Sequence, residues 1–266
     1  MRILLTNDDG IYAPGIAALK AELAALGEVT VVAPEAERSA AGHSITLDRP
    51  LRVHDVYVGE VFLGYACDGS PADCVKLGVK EVLQTAPDLV VSGINLGANV
   101  GINVLYSGTV AAALEGAILS VTSVAVSLES SKKPDFTPAA NIAREVIVQI
   151  LERRPPAGSL FNLNVPARPC ADIKGVVVAP QSTVSYDDGF EVRTDPRGAK
   201  YFWMTGELDR REVSPDTDTA LLADGYVTLT PLTYDLTDRR LLAQAAAWRI
   251  DITNAMRAGR NHGGVK

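Results

Sequence analysis

Asp8 and Asp9 stand side by side near the start of the chain, directly after the apolar run Ile3-Leu4-Leu5-Thr6-Asn7 and directly before Gly10. Two adjacent carboxylates repel each other. A hard divalent cation relieves that repulsion and prefers carboxylate oxygens. Alone, Asn-Asp-Asp-Gly is equally an ordinary solvated turn. Two further groups change its weight. In Ser92-Gly-Ile-Asn-Leu-Gly-Ala-Asn-Val-Gly, Asn95 offers a neutral side-chain oxygen suited to the same cation, and the glycines let backbone approach a ligand closely. Ser107-Gly108-Thr109 then opens an Ala-rich run of helical character. A helix N-terminus presents free N–H groups and the positive end of the helix dipole, which suits phosphate. By itself Ser-Gly-Thr is an ordinary cap; with the acidic pair and Asn95 upstream, phosphate binding is the better reading.

These residues need elements that bring them together. The N-terminal apolar run predicts a buried strand, which puts Asp8 and Asp9 in the turn at its C-terminal end. Pro14, followed by Ile16, Leu19, Leu23 and Leu26 and stopped by Gly27, predicts a helix. Val29–Ala33 predicts a second strand. Residues 35–48 predict a long loop offering Ser39, Gly42, His43 and Ser44; a hydroxyl there could complete a metal shell, and His43 reads as solvated. Ser70-Pro71-Ala72-Asp73 caps a helix expected to reach about Gln84. Strands follow at 88–92, 123–128 and 160–164, with a helix over 138–152. Near-continuous apolar strands alternating with helices predict an α/β fold with a parallel sheet covered on both faces. Asn95, just past its strand, then reaches the crevice beyond the strands' carboxyl ends that holds Asp8 and Asp9. Beyond about residue 175 the pattern turns to strands at 176–179 and 226–230, a hairpin over 183–205 and a helix over 238–257. The whole reads as one domain over 1–266, a core of 1–175 with a β-rich and helical elaboration in 176–266.

Composition narrows the function classes. The formal net charge is −7 and no Lys/Arg-rich stretch is present, which argues against a nucleic-acid polymer as partner. No apolar run reaches the roughly 18 residues of a membrane span. The N-terminus lacks a basic segment followed by an apolar one, so no secretory signal is expected. Three cysteines at wide spacing match neither a disulfide framework nor a zinc site and suit a reducing, cytoplasmic setting. There is no Gly-x-Ser-x-Gly elbow and no phosphate-binding Gly-x-x-x-x-Gly-Lys-Ser/Thr loop.

Taken in order, Asn7-Asp8-Asp9-Gly10, Pro34 through Ser39, Ser92-Gly93-Ile94-Asn95, Asn99, Tyr106–Val110 with Glu115-Gly116, Asn162-Leu163-Asn164-Val165-Pro166, Gly225-Tyr226-Val227 and Thr230-Pro231-Leu232 resemble the SurE family of metal-dependent nucleotidases. The resemblance spans nearly the whole chain. It implies a Rossmann-like three-layer core with β-hairpin and C-terminal helical extensions. It implies one divalent cation per subunit, Mg2+ or Mn2+ with Ca2+ also accommodated, on Asp8, Asp9, Ser39 and Asn95. It implies a phosphate site near Asn99, Ser107, Gly108 and Thr109, and assembly through the extensions.

The expected activity is hydrolysis of nucleoside 5'-monophosphates, with 3'-monophosphates and short polyphosphate left open. The cation would polarise the phosphoryl oxygens and acidify a water. The helix start and Asn99 would hold the phosphate. Asp8 or Asp9 would orient or deprotonate the attacking water, the choice between them open. A phosphatase using Asp8 as covalent nucleophile is one alternative, but such enzymes space their aspartates two apart. A non-enzymatic receiver-like module is another, but it needs an acceptor Asp where Ser92-Gly-Ile-Asn95 stands. The hairpin region holds Tyr186, Phe190, Tyr201, Phe202 and Trp203, which either close the protein's own core or meet another subunit. The second is expected, in a homodimer or a dimer of dimers.

Overall fold

The structure, a computed structural model, describes residues 1–38, 42–184, 186–208 and 213–252, with main chain alone at 186–188, 207 and 208. In chain order the elements are β1 (Arg2–Thr6), α1 (Pro14–Leu23), β2 (Glu28–Pro34), β3 (Val53–Val58), β4 (Val61–Cys67), α2 (Pro71–Leu77), β5 (Leu89–Leu96), α3 (Gly108–Ile118), β6 (Ser123–Leu128) and α4 (Phe136–Glu152). They continue with β7 (Leu160–Val165), β8 (Val176–Val178), β9 (Tyr186–Thr194), β10 (Lys200–Leu208), α5 (Asp218–Asp224), β11 (Val227–Leu232) and α6 (Arg239–Ala245). By packing, the chain divides into two compact units, Met1–Thr233 and Tyr234–Lys266.

In the first unit nine strands form one sheet in the order β3-β4-β2-β1-β5-β6-β7-β11-β8. It is parallel from β4 to β7, and antiparallel where β3 meets β4 and where β11 meets β7. The central strands β1, β5, β6 and β7 are buried along nearly their whole length because both faces are covered. In β1, Ile3 and Leu5 belong to the core shared with α1 and α4, while Leu4 belongs to the core shared with α2. The chain leaves β1 toward β2 on one side and reaches β5 on the other, so the strand order reverses at β1. That reversal opens a crevice beyond the carboxyl ends of β1 and β5, the usual ligand position in such sheets.

Several expectations shift. The helix expected to reach Gln84 leaves α geometry after Leu77 and finishes as a π turn over Gly78–Val82. The helix expected over 238–257 stops at Ala245; residues 246–252 are not helical and 253–257 lie outside the described residues. None of its side chains is buried, and a helix of this length has little stability without tertiary packing. The β3–β4 hairpin and α5 stand where the sequence reading places no element. β3 buries Val56 alone, so its pattern lacks the clean alternation of a half-buried strand. Among the described residues no helix is long and apolar enough to cross a membrane.

In the β9–β10 hairpin, Met204 lies opposite Phe190 and Phe202 opposite Val192, so the four share one face. All four are more than half exposed, as is Trp203, and Tyr201 is exposed as well. These side chains do not close the chain's own core.

One close approach sets the position of α1 against the crevice. A methyl group at Gly15 would lie 2.1 Å from the Ile94 carbonyl oxygen, one residue before Asn95. Gly15→Ala is expected to destabilise the fold by about 1–3 kcal/mol, the range for forced overpacking, read as a lower urea midpoint. An unchanged midpoint would show that α1 has room to retreat from β5.

Candidate active site

β1 delivers Asp8 and Asp9 into the crevice. The turn holding them is clamped by Asn7, whose Nδ2 donates to the Gly10 carbonyl at 2.8 Å and whose Oδ1 accepts from the Gly10 N–H at 3.2 Å. Gly10 has φ of +98°, a conformation side-chain-bearing residues rarely adopt. Asp8 is 5% exposed. The Thr109 hydroxyl donates to Asp8 Oδ1 at 2.5 Å, and the Thr109 main-chain N–H also bonds this carboxylate. Asp8 thus sits against the first turn of α3. Gly108 permits it, since a methyl there would lie 2.9 Å from Asp8 Cβ. Ser107 caps the helix, its Oγ accepting from the Val110 N–H at 3.1 Å.

Burial pushes the Asp8 carboxyl up despite these bonds. Asp9 is half-buried. Burial, the Asp8 charge and the Glu37 charge raise it to about 6, against a hydrogen bond from the Leu96 main chain. The crevice thus disfavours charge on both carboxyls, and the Asp8 carboxylate disfavours it further on Asp9. Asn95 lies inside β5 rather than just past its strand as expected, because β5 continues to Leu96 after its pairing with β6 shifts register between Ser92 and Asn95. Such a bulge re-aims the side chains beyond it. Asn95 Nδ2 donates to the Gly97 carbonyl at 2.7 Å, which fixes the amide's orientation and leaves its oxygen as the acceptor end. Ser39, the fourth expected cation ligand, lies outside the described residues. Its neighbour Arg38 donates its main-chain N–H to the Asp8 carbonyl at 2.8 Å. Among the described residues no group of three or more His, Cys, Asp or Glu is placed to hold a metal. Asp8 and Asp9 follow β1, Asn95 belongs to the neighbouring β5, and all three offer oxygen donors. Hard cations prefer such a set, and the raised carboxyls are the charge a cation would relieve.

Asn99, expected on phosphate, stands on the loop after β5 and is 8% exposed. Its N–H donates to Asn164 Oδ1 at 2.8 Å, and its carbonyl accepts from Asn162 Nδ2 at 2.7 Å and Asn164 Nδ2 at 3.3 Å. Its own Nδ2 donates to Ser127 Oγ at 2.9 Å, with a second N–H left over. Two residues on, the Gly101 N–H donates to Asp218 Oδ2 at 2.9 Å and the Gly101 carbonyl accepts from Gln181 Nε2 at 2.8 Å. The loop is therefore braced by side chains from β7, α5 and the 179–182 segment.

His43 is not simply solvated. Its Nε2 lies 2.8 Å from Glu115 Oε2, and Lys76 Nζ donates to Glu115 Oε1 at 2.6 Å. Burial would raise Glu115, but the bonds from His43 and Lys76 outweigh it and hold its carboxyl below the usual range. This tie holds His43 to α3. Glu115, Glu37 and Asp218 were not singled out as site residues by sequence reasoning; a lone acidic residue carries no pattern until its partners are placed.

Against known proteins, the family model described as Survival protein SurE matches residues 3–188. The 5'-nucleotidase SurE of Syntrophus aciditrophicus is 50% identical over 238 residues, 89% of this chain and 90% of that protein. The 5'-nucleotidase SurE of Rhodopirellula baltica is 50% identical over 251 residues, 94% of this chain and 99% of that protein. The crystal structure of the SurE protein from Aquifex aeolicus superposes with a TM-score of 0.82 at 36% identity, covering 92% of this chain and 98% of that one.

The raised Asp9 gives a pH signature. In metal-free buffer the folded state holds this proton more tightly than the unfolded chain. The resulting stability is fully present below the ordinary value of 3.8 and is lost as pH rises through about 6. Asp9→Asn is expected to melt a few degrees above the parent in chelator at about pH 7, with the difference gone near pH 4. An offset constant across that range would contradict the assignment.

Proposed function

The chain belongs to the SurE family, and on that footing we propose that it hydrolyses nucleoside 5'-monophosphates to nucleoside and phosphate in a reaction that depends on a divalent cation. The observation that supports this reading most directly is the placement of Asp8 against the first turn of α3, with Asn95 at the end of the neighbouring strand. It makes one crevice able to hold a hard cation beside a phosphate site.

Asp8, Asp9 and Asn95 would hold the cation, with Ser39 as fourth ligand. When bound, it would polarise the phosphoryl oxygens and lower the pKa of a water. The chain's own groups do the rest. The start of α3, with Ser107, Gly108 and Thr109, directs its positive end at the phosphate. The Thr109 hydroxyl is engaged by Asp8, so Thr109 acts on phosphate mainly by steadying that carboxylate. Asn99 offers its spare N–H from a loop already fixed in place, so little ordering is needed when substrate arrives. Three unpaired cysteines support a reducing, cytoplasmic setting.

Phosphate release from a panel of nucleoside 5'- and 3'-monophosphates, with and without chelator, tests the reading. The expected result is turnover of 5'-monophosphates, abolished by chelator, restored by Mg2+ or Mn2+, and absent in Asp9→Asn. Undiminished turnover in chelator, or in Asp9→Asn, would overturn it.

We also place the apolar face of the β9–β10 hairpin, the C-terminal helix, or both against another copy of the chain. An exposed apolar hairpin is an aggregation liability unless a partner covers it. Light scattering on a sizing column is expected to give at least twice the chain mass of 28.2 kDa, and Phe202→Lys to reduce it. A single-chain mass at micromolar concentration would mean the extensions serve only their own chain.

A further inference from the structure

Asn162 and Asn164 sit two apart on β7 and project to the same face of the sheet, where both reach the main chain of Asn99. Their circumstances differ. Asn164 is satisfied at both ends, its oxygen on the Asn99 N–H and its nitrogen on the Asn99 carbonyl. Asn162 is fully buried, and its nitrogen makes the shorter bond, 2.7 Å, to the Asn99 carbonyl. Its Oδ1 has no hydrogen-bond partner among the described residues.

A buried amide with one end unpartnered is a stability cost to the fold. A leucine has nearly the same shape and carries no polar atoms to satisfy. Asn162 is therefore a poor choice for packing β7 and a good one for holding a particular carbonyl. Resting on the functional reading above, we propose that Asn162 is a positioning residue: it holds the Asn99 peptide so that the Asn99 side chain meets the substrate phosphate. Thr230 supplies an internal control. It lies directly opposite Asn162 on β11, is buried, and also has an unpartnered hydroxyl. Among the described residues its hydroxyl makes no hydrogen bond.

The test uses the full chain and three variants, Asn162→Leu, Asn162→Ala and Thr230→Val, with inorganic phosphate as the probe. Asn162→Leu is expected to melt at or above the parent temperature. Its phosphate dissociation constant, by titration calorimetry in Mg2+, should rise at least tenfold. KM for nucleotide should rise in step, and half-saturation by Mg2+ should not move. Amide exchange across residues 97–104 should quicken by a similar factor. Asn162→Ala should show the same loss of phosphate affinity, which covers the case in which leucine crowds the site. Thr230→Val should match the parent in phosphate affinity and in exchange. Unchanged phosphate affinity in both Asn162 variants would overturn the proposal. So would an equal loss in Thr230→Val, since the effect would then belong to β7–β11 packing in general. A parent chain that binds phosphate but releases none from any nucleotide would defeat the functional reading instead. Phosphate affinity and exchange would still decide what Asn162 does.

Discussion

Two carboxylates in succession, one buried and one half-buried at the end of a central strand, are the constraint around which this molecule is arranged. Water solvates such a pair freely; a protein crevice does not. The chain answers with what lies within reach. The Thr109 hydroxyl and N–H take Asp8, the Leu96 main chain takes part of Asp9, and Asn7 ties down the turn between them. These bonds offset only part of the charge, because both carboxyls remain raised and Glu37 adds a third negative group nearby. The remainder is charge of the kind a hard cation relieves. The glycines at 10, 15 and 108 fit the same picture, each standing where an added side chain would crowd the Ala36 main chain, the neighbouring strand or Asp8 itself.

Away from that centre the polar side chains serve mainly to hold main chain. Glu115 ties His43 to α3 and is itself braced by Lys76. Asp218, fully buried, accepts the N–H groups of Gly101 and Ser182 and so links the loop after β5 to the start of α5. Loops that carry functional groups are disproportionately held by rigid neighbours. Here much of the bracing comes from parts of the chain far away in sequence.

That distance decides what could be read from the sequence. The strands of the core were legible from their mostly apolar runs, Asp8 and Asp9 because they directly follow such a run, and Asn95 because it comes three residues after one, although its strand continues past it to Leu96. The start of α3 was legible from Ser107 and the alanines behind it. The β3–β4 hairpin was not, since its single buried residue in β3 leaves no period to detect. α6 was overextended because apolar residues such as Leu241 and Leu242 suggest a buried face that the described structure does not give them. Asn162, Asn164 and Asp218 were invisible as loop supports. Each bonds to backbone, and backbone has no sequence signature. The hairpin aromatics raised the right question, and only their exposure answered that they do not fill the chain's own core.

The bracing of the loop by Asp218 has a consequence for the order in which the protein is made. Gly101 and Asp218 are separated by 117 residues. At roughly 5–20 residues per second, a ribosome needs about 6–23 s to cover that stretch. Through that interval the nascent chain already carries Asp8, Asp9 and Asn95 but lacks the carboxylate that fixes Gly101. Asn162 and Asn164 arrive about midway. A chain released early thus bears most of the acidic and amide oxygens without the fixed loop beside them, so a truncated product is not a smaller version of the whole.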